Sequence, residues 1–328
     1  MLENNKKLGV FIVPTGIGAS IGGYAGDASC YAKLFSKNNT LIVNPNVVNA
    51  GGFSGIDENM LYVEGFAIDE FFKGNICLQK SSNNRIGVIF DKSIPREVLN
   101  IHINTINAVK TVYGINISDY EITEEEVGVD FYVDKSGIST GYVKNIETLY
   151  KSTEKLLEQG CEAIGVVCLF KDEDSEEYEN GIGVDPVGGV EAIISHSITK
   201  KYNIPCAHSP AFVNYEISSK IVNPKSASEF ITPTYLPCIL IGLNQAPKLN
   251  IKEGITIKNV DYLIVPHNAL GSIPVFEALK NNIKIYAIKE NVTLLNVTNA
   301  SINKICGINI VNTYQECLEQ IKNDFQLA

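Results

Sequence analysis

Residues 8–27 have the sequence LGVFIVPTGIGASIGGYAGD, and this stretch decides the predicted fold. Its first six residues are apolar without alternation, which is typical of a strand that is covered on both faces of a sheet. A glycine-rich loop follows at once, and we expect it to open a helix. A strand, a loop and a helix in this order form the beginning of an α/β unit.

The same order of elements recurs along the chain. Short apolar runs predict further strands at residues 41–44, 86–90, 163–170, 238–243, 262–265 and 283–288. Helices are predicted between them at residues 96–112, 146–159, 190–201, 273–279 and 314–325. This order predicts an α/β fold with a largely parallel or mixed doubly wound sheet and helices on both faces. Residues 127–133 and 138–143 predict an inserted antiparallel hairpin.

The length of 328 residues allows two domains or one large α/β domain. We expect a glycine-loop α/β half at residues 1–90, a helix-hairpin-helix insertion or subdomain at 91–160, and an α/β half with Cys and His loops at 161–328. The acidic segment 171–180 is expected to be a solvated surface loop, with a lid or cation-attracting flap as the alternative.

Charge and composition exclude several classes of function. Acidic residues outnumber basic ones 37 to 27, so the chain lacks the basic surface that nucleic-acid binding requires. Residues 1–7 have neither the apolar core nor the small-residue cleavage site that are typical of a signal peptide, and no apolar run is long enough for a membrane span, so we expect no membrane partner. The eight cysteines form no CxxC pair, which favours reduced thiols and a cytoplasmic location.

Two loops that follow predicted strands are candidate substrate-binding sites. Backbone N–H groups of the first loop can approach an anion or a carbonyl oxygen closely. The loop is no dinucleotide fingerprint, because Ile21 occupies the position of the third glycine. The alternative to an anion or carbonyl site is a tight turn that packs a helix against the sheet. The candidate residues are Thr15, Gly16, Gly18, Ser20 and Gly22 in this loop, and Asn46 and Asn49 in the second.

Residues 181–191 form another glycine-rich segment, and an apolar helix is predicted to follow it. Gly188 and Gly189 are expected to expose the amino end of that helix to a ligand, with Glu191 also binding the substrate. Asp185 is a candidate catalytic carboxylate, and helix capping is the alternative. Glu191 and His196 are five residues apart, so they are not expected to form a metal pair.

Cys206 and His208 lie two residues apart on a predicted strand, so their side chains are expected to share one face and one pocket. A thiolate held by an imidazole, acid–base catalysis, ligation of a soft metal and a purely structural role all remain open. His267 follows another strand, where a general acid or base belongs in a doubly wound sheet. Asn268 beside it is a further candidate for substrate binding.

Several of these stretches resemble an uncharacterised bacterial and plant family, the type called domain of unknown function 3326. The resemblance is carried by TGIGASIGG at residues 15–23, GVDPVGGVEA at 183–192, PCAH at 205–208, LPC at 236–238 and HNALG at 267–271. It extends over nearly the whole chain and implies one integrated fold with a shared pocket. It implies no established reaction, cofactor or catalytic residue.

We therefore expect a small-molecule metabolic enzyme of the lyase, isomerase or hydrolase type. Glycine-rich loops would bind an anionic or carbonyl-bearing metabolite, while Cys206, His208, His267 and Asp185 would supply acid–base or nucleophilic chemistry. No cofactor is predicted, although a divalent metal is possible at Cys206 and His208. The alternative is a non-catalytic metabolite-binding or sensor protein. The expected partner is a small molecule, and a homo-oligomer is possible.

Overall fold

Two parallel sheets form the framework of the chain, and the computed structural model describes residues 6–172, 176–302 and 306–326. The strands are β1 (Leu8–Phe11), β2 (Thr40–Val43), β3 (Asn49–Ala50), β4 (Phe53–Ser54), β5 (Met60–Tyr62), β6 (Cys77–Gln79), β7 (Ile86–Phe90), β8 (Ile117–Ile122), β9 (Val129–Val133), β10 (Ser139–Val143), β11 (Ala163–Leu169), β12 (Cys206–Ala211), β13 (Lys248–Asn250), β14 (Tyr262–Pro266), β15 (Lys284–Ile288) and β16 (Ile308–Val311). The helices are α1 (Ser29–Ser36), α2 (Pro45–Val48), α3 (Gly65–Phe72), α4 (Arg96–Tyr113), α5 (Ile146–Glu158), α6 (Glu176–Glu179), α7 (Gly188–Tyr202), α8 (Ala227–Phe230), α9 (Leu236–Asn244), α10 (Ile273–Lys280) and α11 (Tyr314–Phe325).

The larger sheet has six strands in the order β16, β15, β14, β1, β2, β5, and each neighbouring pair runs parallel. Strands β1, β2 and β14 are buried along their whole length, which explains their unbroken apolar sequences. The strand order reverses between β1 and β14, where Phe11 lies opposite Ile264. Such a switch point is where open α/β sheets bind ligands.

The smaller sheet has four parallel strands in the order β12, β11, β7, β8. With the larger sheet it confirms the predicted α/β class and the parallel arrangement. The larger sheet draws strands from both ends of the chain, whereas the smaller one uses strands within residues 86–211. The division of the chain into three parts at residues 90 and 160 stays a prediction.

The predicted hairpin is present as β9 and β10, which pair antiparallel to each other. It packs against helix α7 so closely that a Cβ atom on Gly189 would lie 2.0 Å from the Ser139 carbonyl oxygen. Ser139 Oγ also accepts a hydrogen bond of 3.0 Å from the Gly189 amide. The hairpin is therefore joined to the first turn of α7.

The strand predicted at residues 238–243 is wrong, because this segment belongs to helix α9. The helix packs in the core cluster that contains side chains from both sheets. Gly242 faces the Tyr62 ring of the larger sheet, while Ile239 and Leu240 contact Gly165 of the smaller sheet. A helix enclosed on nearly all sides has no polar face, so its sequence resembles that of a buried strand.

The glycine-rich loop after β1 opens no helix, in contrast to our expectation. Residues 14–28 form turns and bends with short irregular segments between them, and α1 begins only at Ser29. Gly16, Gly18 and Gly22 have φ angles of +72°, +57° and +83°. These left-handed conformations interrupt a right-handed helix, and glycine is the residue that adopts them at little cost.

We predict that Gly189→Ala destabilises the protein, because the new methyl group would displace the hairpin backbone at Ser139. We expect a loss of about 1–3 kcal/mol in the free energy of unfolding, measured by urea denaturation. Gly165→Ala is the matched control, since its Cβ would make ordinary contacts of 3.7 Å. Equal urea midpoints for the two variants would contradict this packing.

Candidate functional site

A cavity of about 920 Å³ lies where the carboxyl ends of strands from both sheets meet. Its volume is within the range of roughly 300–1,000 Å³ that is common for small-molecule sites. The segments after β1, β2 and β5 line one side, and β12, α7 and the segment before α9 line the other. Representative lining residues are Pro14, Asn44, Glu64, Gly188, His208 and Tyr235.

Helix α7 and strand β12 bring three polar side chains together on one wall of the cavity. Glu191 and Ser195 are four residues apart on α7, so they face the same side of the helix. His208 lies on β12, and its Nδ1 is 2.9 Å from Ser195 Oγ. Its Nε2 is 4.0 Å from Glu191 Oε1.

Both contacts of Ser195 Oγ are hydrogen bonds at the same time only if Nδ1 of His208 carries the proton, because the hydroxyl has a single hydrogen to donate. Ser195 Oγ lies 3.3 Å from the Ala192 carbonyl oxygen, so the hydroxyl donates to that carbonyl. It therefore accepts a hydrogen bond from Nδ1–H of His208. Nε2 is left unprotonated beside the Glu191 carboxyl group and can act as a base.

Burial shifts the pKa values of His208 and Glu191 in opposite directions. It lowers the pKa of His208 to about 3, and nearby His196 adds to this effect. Burial raises the pKa of Glu191 well above its ordinary value, and the Asp185 and Glu229 carboxyl groups raise it further. At neutral pH the imidazole is an uncharged base and Glu191 is an uncharged acid. This combination is typical of acid–base catalytic sites.

A second imidazole–carboxyl pair is formed by the next residue of α7, His196. His196 Nε2 is 3.1 Å from Glu64 Oε2, and both residues line the cavity. Glu64 also accepts hydrogen bonds from the Phe66 and Ala67 amides at the start of α3. Burial raises the pKa of Glu64 to about 7 and lowers that of His196 to about 4. This pair joins the two sheets across the cavity wall.

Comparison with known proteins gives the chain a family. The family model described as "Protein of unknown function (DUF3326)" matches residues 8–323. The chain belongs to the DUF3326 family. This confirms the resemblance that the glycine, Cys and His motifs indicated.

One relative from Synechococcus sp. is named "Uncharacterized lipoprotein". It is 37% identical over 298 residues, which cover 88% of this chain and 83% of the relative. The word lipoprotein does not accord with the cytoplasmic location that we expected. None of the described helices has an apolar stretch long enough to cross a bilayer. No solved structure matches the chain.

The structure brings about half of the predicted site residues to the cavity. The lining includes Thr15, Asn46, Asn49, Asp185, Gly188, Glu191 and His208. The residues of the prediction that lie outside the lining are Gly16, Gly18, Ser20, Gly22, Gly189, Cys206, His267 and Asn268. The predicted residues of α7 and β12 thus meet, whereas most of the glycine-rich loop after β1 lies elsewhere.

Polar groups of the glycine-rich loop form hydrogen bonds with other groups of the protein. Ser20 Oγ accepts a hydrogen bond of 2.9 Å from the Val292 amide, and Gly22 N donates to Asp27 Oδ1 over 2.8 Å. Burial raises the pKa of Asp27 to about 6. The hydrogen bond with Val292 holds the loop against the segment after β15, and the hydrogen bond with Asp27 lies within the loop itself. The loop therefore matches the packing alternative better than an open anion site.

The amino end of α7 is likewise occupied by groups of the chain itself. Asp185 Oδ1 accepts a hydrogen bond of 3.0 Å from the Val187 amide, and Ser139 Oγ accepts a hydrogen bond from the Gly189 amide. A carboxylate of the chain thus takes the place expected for an external anion, in agreement with the capping alternative for Asp185. This arrangement argues against an anion cradle at Gly188 and Gly189.

Cys206, His267 and Asn268 have surroundings that differ from the expected pocket. Cys206 packs in the core around β11 and α7, and burial raises the pKa of its thiol well above the ordinary value. His267 Nδ1 is buried without a hydrogen-bond partner. Asn268 Nδ2 donates to the carbonyl oxygens of Thr293 and Leu295, and so supports the loop after β15. Of the pair Cys206 and His208, only His208 lines this cavity, and the sharing of one pocket stays a prediction.

Within residues 6–172, 176–302 and 306–326, no group of three or more His, Cys, Asp or Glu side chains is arranged to hold a metal ion. The metal alternative at Cys206 and His208 thus gains no support. Part of the predicted acidic loop is helical, as α6, and Asp172, Glu176 and Glu179 line the cavity. Glu173 and Asp174 of that loop lie outside the described residues.

Sequence reasoning missed Glu64 and Glu229, which add two carboxyl groups to the cavity. Glu64 directly precedes the apolar helix α3, and this N-cap position was the available signal. Glu229 forms a hydrogen bond with Tyr178, and burial raises its pKa to about 8, assisted by Asp185. Nothing in the sequence around Glu229 indicates this environment.

We predict that the protein loses stability as the pH rises from 6.5 to 8. In this range Glu229 stays protonated in the folded state, with a pKa of about 8, but is ionised in the unfolded chain. Its contribution is therefore lost as the pH rises through the folded pKa. The lowered pKa values of His196 and His208 act the other way, but only below about pH 6.5. Thermal melting across this range measures the loss.

Between pH 6.5 and 8, the free energy of unfolding of Glu229→Gln should fall by about 1 kcal/mol less than that of wild type. The difference is modest because Glu229 is half-buried and partly screened by solvent. Glu124→Gln is the control, because Glu124 is exposed and paired with Lys151 and Lys155. A fall in melting temperature that is the same in wild type and in Glu229→Gln would show that Glu229 does not cause it.

Proposed function

We propose that the protein is a small-molecule enzyme of the lyase, isomerase or hydrolase type, with His208 as general base and Glu191 as general acid. The observation that carries this proposal is the position of the two groups on one wall of the cavity, 4.0 Å apart. Their pKa values are shifted in opposite directions by burial. An unprotonated imidazole beside a protonated carboxyl group can take and give a proton in one step.

For a carbonyl-bearing substrate, the proposed reaction begins with proton transfer. His208 Nε2 removes a proton from the carbon beside the carbonyl, and the electron pair of the C–H bond forms a C=C bond. Glu191 gives its proton to the carbonyl oxygen, which produces an enol, an imidazolium and a carboxylate. Return of a proton to a different carbon gives an isomerase, and expulsion of a leaving group from the next carbon gives a lyase. For hydrolysis, the same base would deprotonate a water molecule.

Ser195 and the second pair support this proposal as positioning groups. Ser195 Oγ fixes the tautomer and the orientation of the His208 ring through its hydrogen bond to Nδ1. The Glu64–His196 pair holds α3 and α7 together beside the cavity. The nucleophilic role expected for Cys206 is not retained, because its thiol is buried outside the cavity lining. Binding of an anion through glycine amides is not retained either.

The cellular location is also a proposal. All eight cysteines are unpaired in the structure, which accords with a reducing compartment such as the cytoplasm. The name of the Synechococcus relative points instead to membrane attachment for that protein. Fractionation of cells that express the chain distinguishes the two. Recovery in the membrane fraction, with labelling by a radioactive fatty acid, would overturn the cytoplasmic location.

We predict that wild-type protein incubated in D₂O with a protein-free extract of small metabolites converts or deuterates at least one of them. Deuterium enters when His208 removes a carbon-bound proton and returns one from solvent, so exchange is seen even without net conversion. Mass spectrometry of the extract measures both changes. His208→Gln should abolish the change, and Ser195→Ala should slow it by roughly tenfold, because the ring loses its orienting hydrogen bond.

Cys206→Ala is the matched control and should retain nearly full activity, since the thiol does not line the cavity. Circular dichroism and melting curves confirm that each variant is folded. A metabolite that binds tightly and leaves unchanged, without deuterium, would contradict the enzyme and support the alternative of a metabolite sensor. Full activity in folded His208→Gln would remove His208 from the mechanism.

A further inference from the structure

The cavity is strongly acidic. Among its described lining residues, nine carry carboxyl groups, two are lysines and none is arginine. Lys171 is directed away from the interior, since its exposed side chain is paired with Asp130 at 3.2 Å. Lys220 is exposed as well. Among the described lining residues, the basic side chains beside the interior carboxyl groups are thus His196 and His208, and burial lowers the pKa of both, so neither supplies a positive charge at neutral pH.

One of these carboxyl groups is unpartnered at the wall of the cavity. Glu191 is 7% exposed, and its Oε1 is buried without a hydrogen-bond partner. The titratable groups nearest its charge include Asp185 before α7, Glu229 on α8 and His208 on β12. Glu191 also interacts electrostatically with Tyr62, Cys168, Tyr235 and Cys238. A buried polar atom without a partner costs free energy, and a ligand that donates a hydrogen bond to it recovers that cost.

Aromatic rings stand beside the acidic groups. Tyr24 and Tyr178 stack with their ring centroids 5.1 Å apart, and Phe212 and Tyr235 meet edge-on at 6.2 Å. All four residues line the cavity, but Lys225 Nζ already lies over the Tyr24 ring, 5.3 Å from its centroid, so Tyr178, Phe212 and Tyr235 supply the aromatic rings for a ligand. The negative face of an aromatic ring attracts organic cations, and sites for amine ligands commonly combine such rings with carboxylates. The lining thus contains both elements of an organic-cation site.

We infer that the substrate carries an organic ammonium group, which Glu229 binds as its counter-ion and Glu191 binds through its free Oε1 atom, beside the tyrosine rings. This inference rests on the proposed function, since it names the substrate class of the same cavity. An ammonium group supplies donors to the free Glu191 oxygen and the positive charge that the lining lacks. A metal ion is disfavoured, because the described residues offer no group of ligands arranged for one.

Binding of a cation is expected to release protons. Burial raises the pKa of Glu229 to about 8, so this group holds a proton in the empty cavity near neutral pH. A bound ammonium group favours the ionised form of Glu229 and expels its proton into the buffer. Burial raises the pKa of Glu191 well above its ordinary value, so Glu191 keeps the proton that the proposed reaction needs. Ammonium binding should therefore be tighter at pH 8 than at pH 6.5, in contrast to the stability of the empty protein.

Two matched sets of small probes test the inference on the full chain. The first is 1,4-diaminobutane, 1,4-butanediol and succinate, and the second is benzylamine, benzyl alcohol and benzoate. Each set keeps one carbon skeleton and changes the charge from positive to neutral to negative. We expect millimolar amine from at least one set to raise the melting temperature by several degrees, with smaller or no shifts for its neutral and anionic counterparts.

Glu229→Gln should weaken amine binding at least about tenfold by calorimetry because it removes the counter-ion, and Glu191→Leu should weaken it by a similar factor because it removes the free acceptor atom. Glu124→Gln removes the same charge from an exposed position and should leave binding unchanged. Equal effects of all three variants would show non-specific attraction to an acidic protein. No amine-specific shift in either set, or stabilisation by Mg²⁺ or Ca²⁺ instead of amines, would overturn the inference.

The test of amine binding and the test of the proposed reaction can fail independently. His208→Gln should retain amine binding within a few fold while it loses turnover, since Glu191 and Glu229 remain in place. Amine binding without turnover in wild type would support the cation site and refute the enzyme. Turnover of a metabolite that has no amine would support the enzyme and refute the cation site.

Discussion

The structure depends on the burial of one apolar helix between two parallel sheets. Helix α9 contacts Tyr62 of the larger sheet through Gly242, and Gly165 of the smaller sheet through Ile239 and Leu240. Because packing is tight on both sides, the helix fixes the distance between the sheets. Parallel sheets present their ligand-binding loops at their carboxyl ends, and here strands of both sheets end at one cavity. The functional groups that meet there come from distant parts of the sequence.

The same packing explains the chemistry of the cavity wall. Glu191, His208 and Glu64 are removed from water by the sheets and helices around them, and desolvation disfavours the charged form of each group. The carboxyl groups become weaker acids and the imidazoles weaker bases. Acids and bases that are both uncharged can coexist at close range, where ionised groups would need counter-ions. Ser195 and the helix caps then determine their orientation.

The sequence predicts the periodic parts of this fold well and the site only in part. Buried strands such as β7 and amphipathic helices such as α5 have patterns that follow directly from their surroundings. The sequence predicts a strand where helix α9 lies because this helix lacks a polar face, and it predicts a helix opening where left-handed glycines follow β1. His208 and Glu191 were found through local motifs. Glu64 and Glu229 were missed because their surroundings come from contacts distant in sequence.

The order of strands in the larger sheet has a consequence for synthesis of the chain on the ribosome. Its two central strands, β1 and β14, pair Gly9 with Tyr262, so the middle of this sheet closes only after most of the chain has been made. The smaller sheet needs only residues 86–211 and can assemble earlier. Closing a loop of this length is slow, and until it closes the edge of β1 that later pairs with β14 has no partner strand. The cavity, which needs both sheets, is thus among the last features of the molecule to mature.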